Sequence, residues 1–190
     1  VCINLPRNIL ANSEKFKINE IKKSYEENIT LKSNNKLLKK VVNLINGSKK
    51  VVIIVGAGIK YNSKFKKVTR LAEYLNVPIV TAAGHGDAVP FDHKLHAGQM
   101  GPRGNPVASK LVKEADIIIA LGTRLGFNST FYSYENINKK AKIIQVELEK
   151  KMIGRYFPVE IGIYADAAIF ADQLYNEIKK TKLTTHLKEW

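Results

Sequence analysis

The apolar positions of this chain change their period several times, and the changes mark out its elements. Over residues 1–33 no period is sustained. An apolar opening, Val1-Cys2-Ile3-Asn4-Leu5-Pro6, gives way to Asn12-Ser13 and then to Glu26-Glu27-Asn28, the pattern of a strand followed by a linker. From Asn34 onward Leu37, Leu38, Val41, Val42, Leu44 and Ile45 recur at helical spacing, and Asn46-Gly47 supplies a stop. Val51-Val52-Ile53-Ile54-Val55 is then continuously apolar and β-branched, as suits a strand covered on both faces of a parallel sheet.

The same unit repeats along the chain. The pattern predicts a basic amphipathic helix over 62–76, a strand over 77–81, a long loop over 82–105 and a helix over 107–115. Strands follow at 117–121, 143–147 and 159–163, and a helix runs from about Asp166 to Lys179. Alternation of strands with helices long enough for crossovers specifies an α/β fold in three layers, a doubly wound, mostly parallel sheet of five to six strands of Rossmann-like type. In such sheets ligands bind beyond the carboxyl ends of the strands, so chemistry is sought in the residues that follow each strand.

Composition narrows the function classes. The chain has 190 residues, 45% hydrophobic, which suits one well-cored domain, and no apolar run approaches the roughly 20 residues of a membrane span. One Cys cannot make an internal disulfide or a cysteine zinc cluster, so a cytoplasmic location is expected. The net charge of +14 invites a nucleic-acid partner, yet the cations are nearly all lysines in scattered pairs such as Lys39-Lys40 and Lys139-Lys140. No arginine stripe, helix-turn-helix or zinc-finger pattern accompanies them, so neither nucleic acid nor membrane is expected as a partner.

Several residues after the strands can carry a ligand. Gly56 and Gly58 allow close backbone approach, although Tyr61 replaces the third glycine of the dinucleotide fingerprint, and a tight strand-to-helix turn explains them equally well. Gly122-Thr123-Arg124 sets a planar cation at the sheet edge, either for a phosphate or ring or paired with a loop carboxylate. Glu147 ends a strand where ribose hydroxyls are received in such folds, or else faces solvent. Asp166 is first an N-cap and second a ligand contact. His85, His93 and His96 lack the spacing of a known metal site, and no nucleophile elbow or Walker motif occurs, so no catalytic group is evident in these residues.

The ordered set of motifs resembles the central domain of thiamine-diphosphate-dependent enzymes of the acetolactate synthase group. It comprises Cys2-Ile3-Asn4-Leu5-Pro6-Arg7-Asn8, the strand at 78–82, Pro90-x-Asp92-His93-x-Leu95-x-x-Gly98, Leu121-Gly122-Thr123-Arg124-Leu125 and Ala141-Lys142-Ile143-Ile144-Gln145-Val146. Within that group Lys151-Met152-Ile153-Gly154 and Val159-x-Ile161-Gly162-Ile163 are most similar to the sulfoacetaldehyde acetyltransferases. Acetolactate synthases and related 2-oxo-acid decarboxylases or carboligases are the alternative. Gly56-Ala57-Gly58-Ile59 also resembles the NAD loop of sirtuins, but Lys60-Tyr61-Asn62 and the single Cys depart from that family.

The resemblance implies a central domain over 34–180 with a nucleotide-binding fold like that of deoxyhypusine synthase. Residues 1–33 would be a remnant of a preceding domain plus linker, and 181–190 the start of a linker to a following one. Thiamine diphosphate and Mg2+ would be held by those neighbouring domains, which would also carry the catalytic residues. FAD, or an ADP- or coenzyme-A-type nucleotide, would sit at Gly56, Gly58, Gly122, Thr123, Arg124, Glu147 and Asp166. The partners would be the other domains of the same chain, in a homodimer or homotetramer. Glu147 stands where the family usually has Asp, and Ala165 where it usually has Gly, so a domain that serves only as a spacer stays open.

Overall fold

Val51–Val55 and Ile117–Leu121 are buried at every position, as strands covered on both faces must be. The structure, a computed structural model, describes residues 6–13, 15, 32–60 and 64–181. Its strands are β1 (Val51–Val55), β2 (Ile79–Thr81), β3 (His96–Gln99), β4 (Ile117–Leu121), β5 (Lys142–Glu147) and β6 (Ile161–Tyr164). They form one six-stranded sheet in the order β3-β2-β1-β4-β5-β6. Every pairing is parallel, with Val51 to Val55 of β1 matched against Ile117 to Leu121 of β4 at the centre.

The helices are α1 (Arg7–Leu10), α2 (Asn35–Asn46), α3 (Phe65–Leu75), α4 (Pro106–Glu114), α5 (Phe127–Thr130) and α6 (Ala167–Thr181). Strand side chains alternate between the faces, so the sheet divides its own apolar residues between two cores. Val51, Ile53 and Val55 join Ile119 and Leu121 beneath α2, α3 and α6, where Phe170 and Leu174 are fully buried. Val52, Ile54, Ile118 and Ala120 face the other way, onto Ala108 and Val112 of α4 and onto Ile137 and Phe157 of the connecting segments. The three layers predicted from the strand and helix periods are present.

Local chemistry sets the helix ends. Asn34 accepts from the Lys36 amide at the start of α2, and Asn105 accepts from Val107 with Pro106 in the first turn of α4. Asp166 caps α6, accepting from the amides of Ala168 at 2.9 Å and Ile169 at 3.1 Å. Its other oxygen receives the Lys64 ammonium at 2.6 Å. Burial raises the Asp166 carboxyl, but Lys64 and the helix amides outweigh it and hold the group below its ordinary value of 3.8.

Two departures from the sequence pattern have physical causes. The predicted loop 82–105 contains β3, whose His-Ala-Gly-Gln sequence has no β-branched residue. The strand exists because its backbone pairs with β2: Ile79 donates to the Leu95 carbonyl at 2.8 Å and Met100 to the Thr81 carbonyl at 2.9 Å. Residues 7–10, assigned to no element, form the single helical turn α1, while the predicted opening strand falls largely on residues 1–5, outside those described. The remaining elements lie within a few residues of their predicted places, although residues 62 and 63 of the helix predicted over 62–76 lie outside those described.

Replacing Asp166 by Ala removes the cap and strands Lys64, and is expected to lower unfolding free energy by about 1–2 kcal/mol, with Asp166→Asn costing less because its amide oxygen still caps. The folded pKa is depressed, so the carboxylate's contribution is complete above the ordinary value of 3.8 and is lost as pH falls through the folded value. Urea unfolding of the parent and both variants at pH 7 and at pH 3 checks the ranking, with the parent's advantage over Asp166→Asn expected to shrink in acid as the carboxylate protonates.

Candidate functional site

The strand order reverses direction between β1 and β4, where the chain leaves the sheet toward opposite faces and opens a crevice at the carboxyl ends. A cleft of about 610 Å³ lies there, within the range of roughly 300–1,000 Å³ common for small-molecule sites. Its floor is two loops laid backbone on backbone. Gly56 donates its amide to the Leu121 carbonyl at 3.0 Å, Gly58 donates to Gly122 at 3.1 Å, and Gly122 donates to Val146 at 3.0 Å. A Cβ on Gly56 would stand 2.5 Å from the Gly122 oxygen, and one on Gly58 would stand 2.8 Å from the Gly122 Cα. Gly122 also takes a left-handed φ of +60°. These glycines are required by the crossing of the two loops, whatever the cleft receives.

The next residues build the walls. Thr123 is buried; its hydroxyl accepts from the Leu125 amide at 3.3 Å and its carbonyl from Gln145 Nε2 at 3.2 Å. Gln145 also donates to the Met152 carbonyl and accepts from the Gly154 amide at 2.9 Å, so one buried amide ties the segment after β5 to the loop after β4. Arg124 is exposed at the cleft, and its guanidinium makes no hydrogen bond or ion pair among the described residues. The loop-carboxylate partner that the sequence left open for it is absent among them.

An aromatic wall follows. Phe127 and Tyr132 have ring centroids 5.5 Å apart, and Tyr132 stacks on Tyr156 at 4.4 Å with 26° between the planes. A hydrogen bond between the two phenols is the main cause that holds Tyr132 above its ordinary value of 10.0. Leu125, Phe131 and Tyr132 all adopt left-handed backbone, at roughly 1–2 kcal/mol each for an L-residue, which concentrates strain in this wall.

The cleft has two electrostatic sides. His85 lines one, with its Nδ1 buried and lacking a hydrogen-bond partner. Burial first, then the charges of Lys60 and Arg124, lower His85 from 6.5 against an opposing pull from Asp87, so the ring is neutral at pH 7. Lys60 pairs with Asp87 at 2.9 Å and closes the loops after β1 and β2 on each other. Glu147 and Glu149 line the opposite side. Burial raises Glu147 above 4.5, and Glu149 adds to the rise while the Leu148 amide and Arg124 oppose it.

Five of the seven residues singled out from sequence, Gly58, Gly122, Thr123, Arg124 and Glu147, therefore line one cleft. Gly56 lies under its floor, and Asp166 is committed to α6 and Lys64, outside the lining. His93 and His96 are elsewhere: His93 Nε2 is 3.3 Å from a Glu73 oxygen, and His96 is partly buried beside the backbone of Phe91 and Pro90. No group of three His, Cys, Asp or Glu able to hold a metal occurs among the described residues. No described helix is long and apolar enough to cross a membrane. Sequence reasoning missed the aromatic wall, whose one visible signal is the density of rings at 127–134 just after a central strand.

Comparison with known proteins gives the family. Residues 38–174 match the family described as thiamine pyrophosphate enzyme, central domain. A sulfoacetaldehyde acetyltransferase of Roseovarius nubinhibens is 36% identical over 146 residues, covering 76% of this chain and 24% of that protein. The sulfoacetaldehyde acetyltransferase of Castellaniella defragrans is 36% identical over 134 residues, 70% of this chain and 22% of the relative. An acetolactate synthase large subunit of Corynebacterium glutamicum is 30% identical over 154 residues, 80% of this chain and 24% of the relative. The chain thus spans about a quarter of the length of these relatives.

Gly58→Ala is expected to cost about 1–3 kcal/mol through backbone overpacking, with or without ligand. Gly126→Ala, whose Cβ would meet only the Arg124 side chain at 3.6 Å, should stay within about 0.5 kcal/mol of the parent. Thermal unfolding of the two variants reads the contrast. Because the folded pKa of Glu147 is raised, ionising it costs stability as pH climbs past 4.5. Glu147→Gln should therefore be more stable than the parent at pH 7, with the gap closing below pH 4.5, in paired denaturant titrations.

Proposed function

Because the chain belongs to the thiamine pyrophosphate enzyme central-domain family, we propose that it serves as the middle domain of a cytoplasmic, sulfoacetaldehyde acetyltransferase-like enzyme and presents an adenine-nucleotide cleft rather than the reacting groups. Similarity to sulfoacetaldehyde acetyltransferases at 36% identity, against 30% for an acetolactate synthase, favours acyl transfer over the carboligase alternative. Thiamine diphosphate, when bound, supplies the carbanion chemistry by which 2-oxo acids and aldehydes yield acyl units. The described residues offer no carboxylate or histidine cluster for its magnesium, so that chemistry is assigned to neighbouring domains of a homo-oligomeric enzyme.

The observation that carries the nucleotide role is Arg124, an arginine without an ion-pair partner among the described residues, aimed at the switch-point cleft between an orphaned imidazole nitrogen and a strand-end carboxylate. FAD or an ADP- or coenzyme-A-type nucleotide fits these groups. A diphosphate takes the guanidinium as a bidentate partner, the His85 Nδ1 gains the bond it lacks, and a planar ring finds the faces of Phe127 and Tyr132. One observation supports the spacer alternative: the amides of Gly56 and Gly58 are already engaged by the carbonyls of Leu121 and Gly122 and offer nothing to a phosphate.

An absorbance scan for flavin, followed by calorimetric titration with FAD, ADP and coenzyme A, tests the reading. Binding of ADP is expected, with Arg124→Ala weakening it about tenfold, the worth of one charge-assisted contact. Silence from all three ligands would leave the spacer. A chain extended to the length of the relatives should convert sulfoacetaldehyde and phosphate to acetyl phosphate and sulfite with thiamine diphosphate and Mg2+, and the present 190 residues should not.

A further inference from the structure

We propose that Gln145, which is not among the residues lining the cleft, is the positioning residue that sets its ligand affinity by holding the Arg124 loop and the segment bearing Tyr156 in one register, an inference that rests on the nucleotide role of the cleft and deepens it. Gln145 lies inside β5 and is 2% exposed. No other amide side chain is buried among the described residues. Its Nε2 donates to the carbonyls of Thr123 and Met152, each at 3.2 Å, and its Oε1 accepts from the Gly154 amide at 2.9 Å. Both donors of the amide are therefore engaged, and one of its two acceptor lone pairs.

The three partners sit on the two segments that carry the recognition groups. The Thr123 carbonyl belongs to the peptide from which Arg124 departs, so fixing it fixes the base of the arginine. Met152 and Gly154 belong to the strap after β5 that brings Met152 and Tyr156 into the lining, where Tyr156 stacks on Tyr132 at 4.4 Å. The strap has apolar anchors as well: the Ile153 Cγ2 lies 2.4 Å from where a Cβ on Gly162 would stand, and Phe157 is buried. Apolar contact is non-directional, whereas three hydrogen bonds fix the strap in register against the Thr123 peptide. A bidentate guanidinium contact and a ring stack both demand fixed geometry, and a site already ordered in its bound arrangement gains affinity because ordering no longer opposes binding.

The parent gives the first check, without ligand. The Gly154 amide lies outside every helix and strand, yet should exchange its hydrogen at least about tenfold more slowly than an unstructured amide, and fast exchange there overturns the proposal. Two replacements supply the rest, with far-UV circular dichroism showing that each is folded. Gln145→Met is close in volume and makes none of the three bonds. Gln145→Glu still accepts from Gly154, but its ionised form opposes the carbonyls of Thr123 and Met152, whereas the protonated acid donates to one of them. Burial, those carbonyls and Glu147, two residues on along the same strand face, favour the protonated acid, against the pull of Arg124. Calorimetric titration with ADP at pH 8 is expected to show binding about tenfold weaker than the parent's for both variants. At pH 5.5 the deficit of Gln145→Glu, taken as a ratio to the parent at the same pH, should narrow at least about threefold while that of Gln145→Met persists. ADP affinity equal to the parent's in a folded variant confines Gln145 to a structural role and overturns the proposal, as does a Gln145→Glu deficit that acid leaves unchanged. If the parent binds none of ADP, FAD and coenzyme A, the nucleotide role itself falls, whereas the exchange at Gly154 still reports on the Gln145 bonds.

Discussion

The crossing of two backbones at the centre of the sheet is the constraint on which the rest of this structure depends. Gly56 and Gly58 leave β1 while Gly122 leaves β4, and the loops touch at distances that admit no Cβ on either side. Three amide-to-carbonyl hydrogen bonds seal the contact and extend the parallel ladder one step past the strands, through Val146 into β5. This closeness brings the ends of β1, β4 and β5 together, so residues distant in sequence share one cleft. It also engages the amides of Gly56 and Gly58, which a glycine-rich loop ordinarily turns toward phosphate, so that Arg124 is the cation the cleft itself presents.

Charge at the cleft is arranged against stability. Glu147 is held where burial and Glu149 disfavour its ionised form, His85 keeps a buried ring nitrogen without a partner, and Arg124 lacks a counterion among the described residues. Several polar groups elsewhere are satisfied: Asp166 holds Lys64 and two amides, Lys50 pairs with Glu114, and Gln145 spends its amide on three partners. Buried atoms without a partner also occur outside the cleft, at Ser33, Thr81, His93 and His96, so what sets the cleft apart is the meeting of His85, Arg124 and Glu147 along one lining.

Much of this was legible in the chain, and the exceptions are instructive. Val51–Val55 and Ile117–Leu121 announce themselves because a strand buried on both faces has no polar position to interrupt it. β3 does not, because an edge strand of His-Ala-Gly-Gln owes its form to hydrogen bonds from β2 and not to its own side chains. Position after a strand picked out Arg124 and Glu147, which line the cleft, whereas Asp166, equally well placed by that rule, is bound into the start of α6. The aromatic wall was hidden because the pairing of Tyr132 with Tyr156 depends on Gln145, which draws the segment around Met152 back to the sheet.

The sequence by itself determined the alternation of strands and helices, the two-faced burial of the central strands, the cap at Asp166, and the family motifs, since each is encoded within a few neighbouring residues. Only the tertiary structure decided which side chains meet. That Gly58 abuts Gly122, that Arg124 and Glu147 stand one strand apart, and that His85 joins them from the loop after β2 follow from the strand order β3-β2-β1-β4-β5-β6. Local propensity does not specify that order; it emerges when two apolar faces must be covered at once by right-handed crossovers, and the cleft is where those crossovers part.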